Sequence, residues 1–209
     1  MRMARKRVAI LISGRGSNMA ALIDAAQAAD YPAEIALVVS NRPDAPGLAR
    51  AESAGVETAI IDHTSFGEDR EAFERALDAK LRADRIDIVC LAGFMRLLTP
   101  WFVGRWSGRL LNIHPALLPD FKGLHTHRQA LAAGAKRHGA TVHFVVAETD
   151  SGPIVAQDSV PVVEGDTEAT LAARVLELEH RLYPQALRLV AEGSVTSTTV
   201  QPTTREDSC

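Results

Sequence analysis

The sequence predicts an α/β fold: a single Rossmann-like, open and mostly parallel twisted sheet with helices on both faces and an antiparallel edge near the C-terminal part. Three observations predict it. Short continuous apolar runs alternate with amphipathic helical stretches, the pattern of strands covered on both faces. The first strand-like run leads directly into a glycine-rich turn and a helix, Ser13-Gly14-Arg15-Gly16-Ser17-Asn18. The last two strand-like runs have no helix between them, which suits antiparallel neighbours joined by a short turn.

Taken in order, strands are expected at 8–12, 35–40, 57–61, 86–92, 109–113, 141–146 and 154–161. Helices are expected at 18–29, 47–54 and 69–83, between the early strands. The clearest helix is 167–192, where Leu171, Val175, Leu178, Leu182, Ala186 and Leu189 recur at three- and four-residue steps behind Asp166 as N-cap. Glu179 falls about 80° from Leu171 on that helix, at the margin of its apolar stripe. There it either reaches a cleft or sits as a solvated boundary residue. From Ser194 onward the Ser/Thr-rich composition carries no packing period. One domain at 1–193 and a flexible tail at 194–209 are therefore expected.

A chain of 209 residues with 46% hydrophobic content can bury a substantial single core. The net charge of −3 argues against a dominant nucleic-acid or anionic-membrane surface. The longest apolar runs, at 8–12 and 86–94, are too short to span a bilayer. The basic start through Arg7 leads into a β-like run, not into a signal-peptide core. Cys90 lies in an apolar run and Cys209 is the last residue, so a reducing, cytoplasmic setting is expected in place of a disulfide. Cys90 reads as a buried small hydrophobe, with a nucleophile as the sharper alternative.

Chemistry concentrates in a few segments. Leu111-Asn112-Ile113-His114-Pro115 ends an apolar run with an amide and an imidazole two residues apart, and therefore on one face of a strand. Asp150, in Asp150-Ser151-Gly152-Pro153, is the type of turn residue that can orient such an imidazole. Acid–base chemistry on a small molecule follows. The turn at 13–18 sets a helix N-terminus behind glycines, which suits a phosphate. Met19 stands where a dinucleotide pattern needs its third glycine, and no acid closes the second strand, so a mononucleotide or sugar phosphate is preferred. The alternative is a tight turn capped by Asn18. Phe94 to Leu98 can line an apolar slot or simply connect strand to helix. Arg70 opens a helix, where it either pairs with Glu74 or meets a carboxylate ligand. His125 and His127 have zinc-like spacing, but zinc needs a third ligand, which His143 or Asp150 would supply only by coincidence of fold, and they read better as part of a substrate loop.

These motifs together resemble the folate-dependent formyltransferases. The resemblance spans roughly 8–192 and rests on Ser13-Gly-Arg-Gly-Ser-Asn18, Ala92-Gly-Phe-Met-Arg-Leu97, Asn112-Ile-His-Pro115, Gly123-Leu-His-Thr-His127 and Glu179-His180. It implies transfer of a formyl group from 10-formyltetrahydrofolate to the amine of glycinamide ribonucleotide, a step of purine biosynthesis. By position, it implies Asn112, His114 and Asp150 as the catalytic group. Gly16, Ser17 and Asn18 would hold the 5-phosphate and Glu179 the ribose hydroxyls. Met95, Arg96, Leu97 and Leu98, with Asn112 and the loop Val146, Ala147, Glu148, Thr149 and Asp150, would enclose the folate, and Arg70 would lie near its glutamyl tail. No metal and no nucleic-acid or membrane partner is implied, and the chain would work as a monomer or homodimer. Two positions depart from the usual pattern, Ala116 after His-Pro and Ser151 after the aspartate. Ser tolerates positive φ less readily than the Gly common there, which bears on the shape of the folate turn. A family branch acting on charged tRNA is expected to add a C-terminal domain, and a hydrolase branch an N-terminal one. A phosphate-binding module without catalysis would need 14–18 but not the Asn, His and Asp together.

Overall fold

In the computed structural model, residues 4–199 are described. The strands are β1 (Lys6–Ile12), β2 (Ala33–Ser40), β3 (Thr58–Ile60), β4 (Ile88–Leu91), β5 (Leu110–His114), β6 (Arg137–Phe144) and β7 (Ile154–Pro161). The helices are α1 (Ser17–Ala26), α2 (Gly47–Ser53), α3 (Arg70–Ala83), α4 (Pro100–Arg105), α5 (Thr126–Ala132) and α6 (Glu168–Ala191), with a 3-10 turn at His63–Phe66. One seven-stranded sheet runs in the order β3-β2-β1-β4-β5-β6-β7. It is parallel from β3 to β5 and antiparallel across β5–β6 and β6–β7.

The alternation of β1 shows why the sheet is covered on both sides. Val8, Ile10 and Ile12 face a core completed by Met19, Leu22 and Ile23 of α1 and by Leu171, Val175 and Leu178 of α6. Ala9 and Leu11 face the opposite core, with Phe73, Leu77 and Leu81 of α3 and Phe102 of α4. Both sets are fully buried, and each large aliphatic or aromatic side chain so removed from water contributes about 1.5–3 kcal/mol. A strand apolar at every position cannot face water on either side.

β1 is also where the sheet order reverses, because β2 lies on one side of it and β4 on the other. Loops leaving the carboxyl ends of two such strands diverge and leave a crevice. The turn after β1 is tied across it: Ser13 Oγ donates to Asn41 Oδ1 at 2.6 Å and accepts from Met95 N at 2.8 Å, beyond the end of β4.

Several element boundaries differ from those read in the sequence. β6 begins at Arg137, four residues earlier than the apolar run, because it pairs on two sides and carries the buried His138 and Gly139 in its ladder. A Cβ at Gly139 would lie 2.1 Å from Asp158 O, so polar and side-chain-free positions are as much strand here as apolar ones. α4 and α5 were not anticipated: six and seven residues are too few to show a helical period. The N-cap of α6 is Thr167, in a reciprocal box with Thr170, and not Asp166. Asp166 instead takes Arg174 at 2.8 Å and the Val163 N–H at 2.9 Å, two charge-assisted contacts that one cap bond does not match.

Residues 194–199 form a turn in which Thr199 N donates to Thr196 Oγ1 at 3.3 Å and Val195 packs on the core. The rest of the expected tail, Cys209 and the first three residues of the basic start lie outside the described residues. Among the described residues no helix is long and apolar enough to cross a membrane.

Tyr183, from α6, reaches through the core so that its hydroxyl meets the carbonyls of Leu91 and Leu111 at 3.1 and 3.2 Å, bridging the ends of β4 and β5. Tyr183→Phe is expected to lower the urea unfolding free energy by about 1–2 kcal/mol with an unchanged m-value, since it leaves buried carbonyls short of a donor. A loss below about 0.3 kcal/mol on the same measurement would count against that bridge.

Candidate active site

The end of β5 carries Asn112 and His114 on one face, as strand alternation requires. Their antiparallel register with β6 sets Asn112 opposite His143 and His114 opposite Thr141. His143 Nδ1 contacts the carbonyl of Phe144 at 2.9 Å, and a carbonyl only accepts, so Nδ1 carries the hydrogen. Nε2 of His143 then accepts from Asn112 Nδ2 at 3.2 Å, which fixes the orientation of that amide. Burial pushes the His143 pKa down, in keeping with a neutral ring. One Nδ2 hydrogen and the Oδ1 of Asn112 stay available to the cleft.

Asp150 joins this pair from the turn after β6. Its Oδ2 lies 3.5 Å from His114 Nδ1 and its Oδ1 3.7 Å from His143 Nε2, all three side chains being largely buried. Asp150 itself adopts φ 51°. The left-handed residue of this turn is thus the aspartate, which tolerates it, and Ser151 needs no positive φ. The turn shape is met by a different residue from the one the sequence singled out.

The segment 121–123 straps the group from above. Phe121 O accepts from His114 Nε2 at 3.0 Å, and Gly123 N donates to Asp150 Oδ2 at 3.0 Å. His114 is 5% exposed, with the Phe121 carbonyl on Nε2 and the Asp150 carboxylate 3.5 Å from Nδ1. Beneath the strap, Phe121 meets the His138 ring edge-on at 5.8 Å, and His138 Nε2 lies 3.2 Å from His127 Nδ1. His125, at φ 58°, opens α5. Among the described residues no group of three or more His, Cys, Asp or Glu is arranged to hold a metal.

On the far side of the crevice, α1 starts at Ser17 behind Gly16, whose φ of 68° makes it the N-cap without any side-chain cap bond. No acidic residue occupies the first turn, so the amides there keep their affinity for an anion. Asn18 does not cap the helix. Its Nδ2 donates to Glu179 Oε2 at 2.9 Å, joining the two ends of the sequence, and its buried Oδ1 has no partner. Glu179 is 7% exposed, which corrects the solvated-boundary alternative, and burial pushes its pKa up to about 7 against the lowering effect of Asn18. α1 packs along α6 and shields that carboxylate, which the period of one helix does not reveal.

An exposed apolar lip follows β4. Gly93 turns the chain at φ 71°, and Met95 and Leu97 stand 74% and 65% exposed while Phe94 and Leu98 pack inward. Val146 is also exposed, with Ala147, Glu148 and Thr149 following it at the surface. Arg96 lies over the Phe73 ring at 5.3 Å. Arg70 is exposed and does not pair with Glu74: that carboxylate is buried and accepts from Thr99 N at 2.7 Å, holding the start of α4. Among the described residues the Arg70 side chain has no ion-pair partner. Cys90 is a buried free thiol whose pKa burial raises to about 12.

Sequence reasoning missed His143 as a partner of Asn112, and missed the carbonyl of Phe121 and the amide of Gly123. The only signal for His143 was its even spacing from Thr141 on a strand, which says nothing of what lies across the ladder.

The chain matches the Formyl transferase family over residues 6–187. It is 50% identical over 191 residues to the trifunctional purine biosynthetic protein adenosine-3 of Homo sapiens, covering 91% of this chain and 19% of that protein. The chain thus spans about a fifth of the length of these first curated relatives. It is 47% identical over 186 residues to the phosphoribosylglycinamide formyltransferase of Escherichia coli strain K12, covering 89% of this chain and 87% of that one. The crystal structure of phosphoribosylglycinamide formyltransferase from Brucella melitensis superposes with a TM-score of 0.87 at 56% identity, covering 91% of this chain and 98% of that chain.

Burial first, and then His127, pushes the His138 pKa down to about 4. An imidazole whose folded value lies below its unfolded value, near 6.5, stabilises the fold above that value. The contribution fades as pH falls from about 6.5 toward about 4. The melting temperature is therefore expected to fall over this window, and less steeply in His138→Gln. Parallel melting curves for the two proteins between pH 7 and 4 would remove the His127–His138 pair as the cause.

Proposed function

The chain belongs to the formyl transferase family, and on that premise we propose that it transfers a formyl group from 10-formyltetrahydrofolate to the amine of 5-phosphoribosylglycinamide, giving N-formylglycinamide ribonucleotide for purine biosynthesis. The observation that carries the reading is the convergence of Asn112, His114 and Asp150, with an Asp150–His114 separation of 3.5 Å, in a chain that also carries an uncapped helix N-terminus and an exposed apolar lip. Its two small-molecule substrates need just these features. The ribonucleotide phosphate takes the amides of Gly16, Ser17 and Asn18, and the ribose hydroxyls take Glu179. The pterin lies along Met95 to Leu98 and the loop 146–150, with Arg70 at the glutamyl end. The folate is a second substrate, consumed once per turnover, and supplies the formyl group.

The attacking nitrogen belongs to the ribonucleotide, so no protein nucleophile is required, and the buried, un-ionised Cys90 stays out of the chemistry. Attack on the formyl carbon moves charge onto its oxygen. The free Nδ2 hydrogen of Asn112 and the His114 imidazolium are the donors for that oxygen, and both are held before the reaction begins. His143 keeps the Asn112 amide turned with nitrogen toward the ladder. His114 meets the oxygen once the Phe121 carbonyl yields its ring nitrogen. Asp150 holds the imidazolium charge and relays the proton from the incoming amine to the leaving folate nitrogen. A buried free thiol agrees with a reducing cytoplasm as the setting.

The direct test is an assay with glycinamide ribonucleotide and 10-formyltetrahydrofolate, following formylated ribonucleotide; absence of product would overturn the reading. In the same assay Asn112→Ala and His114→Ala are each expected to lower kcat by about 10²–10³-fold, with KM for the ribonucleotide within about 3-fold. A raised KM at unchanged kcat would assign those side chains to binding instead.

A further inference from the structure

Ser151 stands directly after the aspartate of the site, and its hydroxyl has two partners. It donates to Thr149 O at 3.0 Å, closing its own turn. It accepts from Lys122 Nζ at 2.5 Å, across 29 residues of sequence. Lys122 precedes Gly123, whose amide bonds the Asp150 carboxylate. It follows Phe121, whose carbonyl bonds His114. Gln129 of α5 anchors the strap by donating to Leu124 O at 2.8 Å. Gly152 anchors the turn on its other side, with no room for a Cβ beside Phe144 O.

We propose that Ser151 and Lys122 are positioning residues for Asp150, a latch that ties its turn to the strap and keeps the carboxylate aimed at His114. This rests on the formyl-transfer reading for its kinetic consequence, though not for its geometry. Asp150 occupies a left-handed backbone conformation that surrounding contacts must hold. Its carboxylate faces His114 of β5, His143 of β6 and the Gly123 amide of the strap, with Lys122 and Glu148 outside them. Of these contacts the Gly123 amide is the shortest, at 3.0 Å, so the strap sets where the carboxylate points. An unlatched strap is free to shift, and a carboxylate already at 3.5 Å from its imidazole has no slack to lose.

The experiment compares wild type, Ser151→Ala, Ser151→Thr, Lys122→Met and Ser151→Ala/Lys122→Met in the formyl-transfer assay and by amide hydrogen exchange. Ser151→Ala and Lys122→Met are expected each to lower kcat by about 10-fold, the effect of one charge-assisted bond, with KM for the ribonucleotide unchanged. The double variant is expected to lose no more than either single one, because both remove one interaction. Ser151→Thr, which keeps the hydroxyl, is expected to restore kcat. Exchange of the Gly123 amide is expected to quicken about 10-fold in Ser151→Ala, while amides of β5 and β6 keep their rates. Wild-type kcat in Ser151→Ala, additive losses in the double variant, or an unchanged Gly123 amide would each overturn the latch. A wild type without formyl transfer but with the expected exchange would refute the reaction and leave the latch standing.

Discussion

The carboxylate of Asp150 is the point at which separated parts of the chain are made to agree. It accepts the amide of Gly123 at 3.0 Å and faces imidazoles from two neighbouring strands, His114 on β5 and His143 on β6. Each contact joins the turn that carries Asp150 to a different segment. A buried carboxylate is costly unless donors surround it, so the position of the strap, the register of β5 on β6 and the turn after β6 constrain one another. The left-handed backbone at Asp150 is the local cost of that agreement.

A second agreement closes the other half of the crevice. Asn18 and Glu179 lie 161 residues apart and meet at 2.9 Å. The meeting follows from packing: α1 and α6 share one core beneath β1, and their apolar stripes leave no freedom in how their polar edges align. A carboxyl with a single neutral partner in that setting holds its proton far above the ordinary range. Such a group suits hydroxyls, which both donate and accept, better than it suits another charge.

The histidines divide the work by their acceptors. His143 gives its Nδ1 hydrogen to a carbonyl and uses its lone pair to orient Asn112. His138 and His127 share one contact beneath the strap, and burial keeps both from charging readily. His114 has the Phe121 carbonyl at one ring nitrogen and the Asp150 carboxylate 3.5 Å from the other. Similar residues in similar burial thus differ in what stands opposite each ring nitrogen.

Much of this was legible in the sequence. Apolar runs at β1, β2 and β4 determined a covered parallel sheet, because nothing else hides a strand that is apolar on both faces. Glycines at 14 and 16 determined a turn into a helix, and the spacing of Asn112 and His114 determined that both share a face. Tertiary structure decided the rest. Which residue lies across from Asn112 depends on antiparallel register, which is decided only when β6 pairs with β5 and β7. Glu74 turns inward to Thr99 and does not pair with Arg70, a choice set by where α4 begins. Glu179 is buried because another helix covers it. Local sequence specifies periodicity and backbone preference over a few residues, whereas the partners of a side chain are chosen by chain segments that come together only on folding.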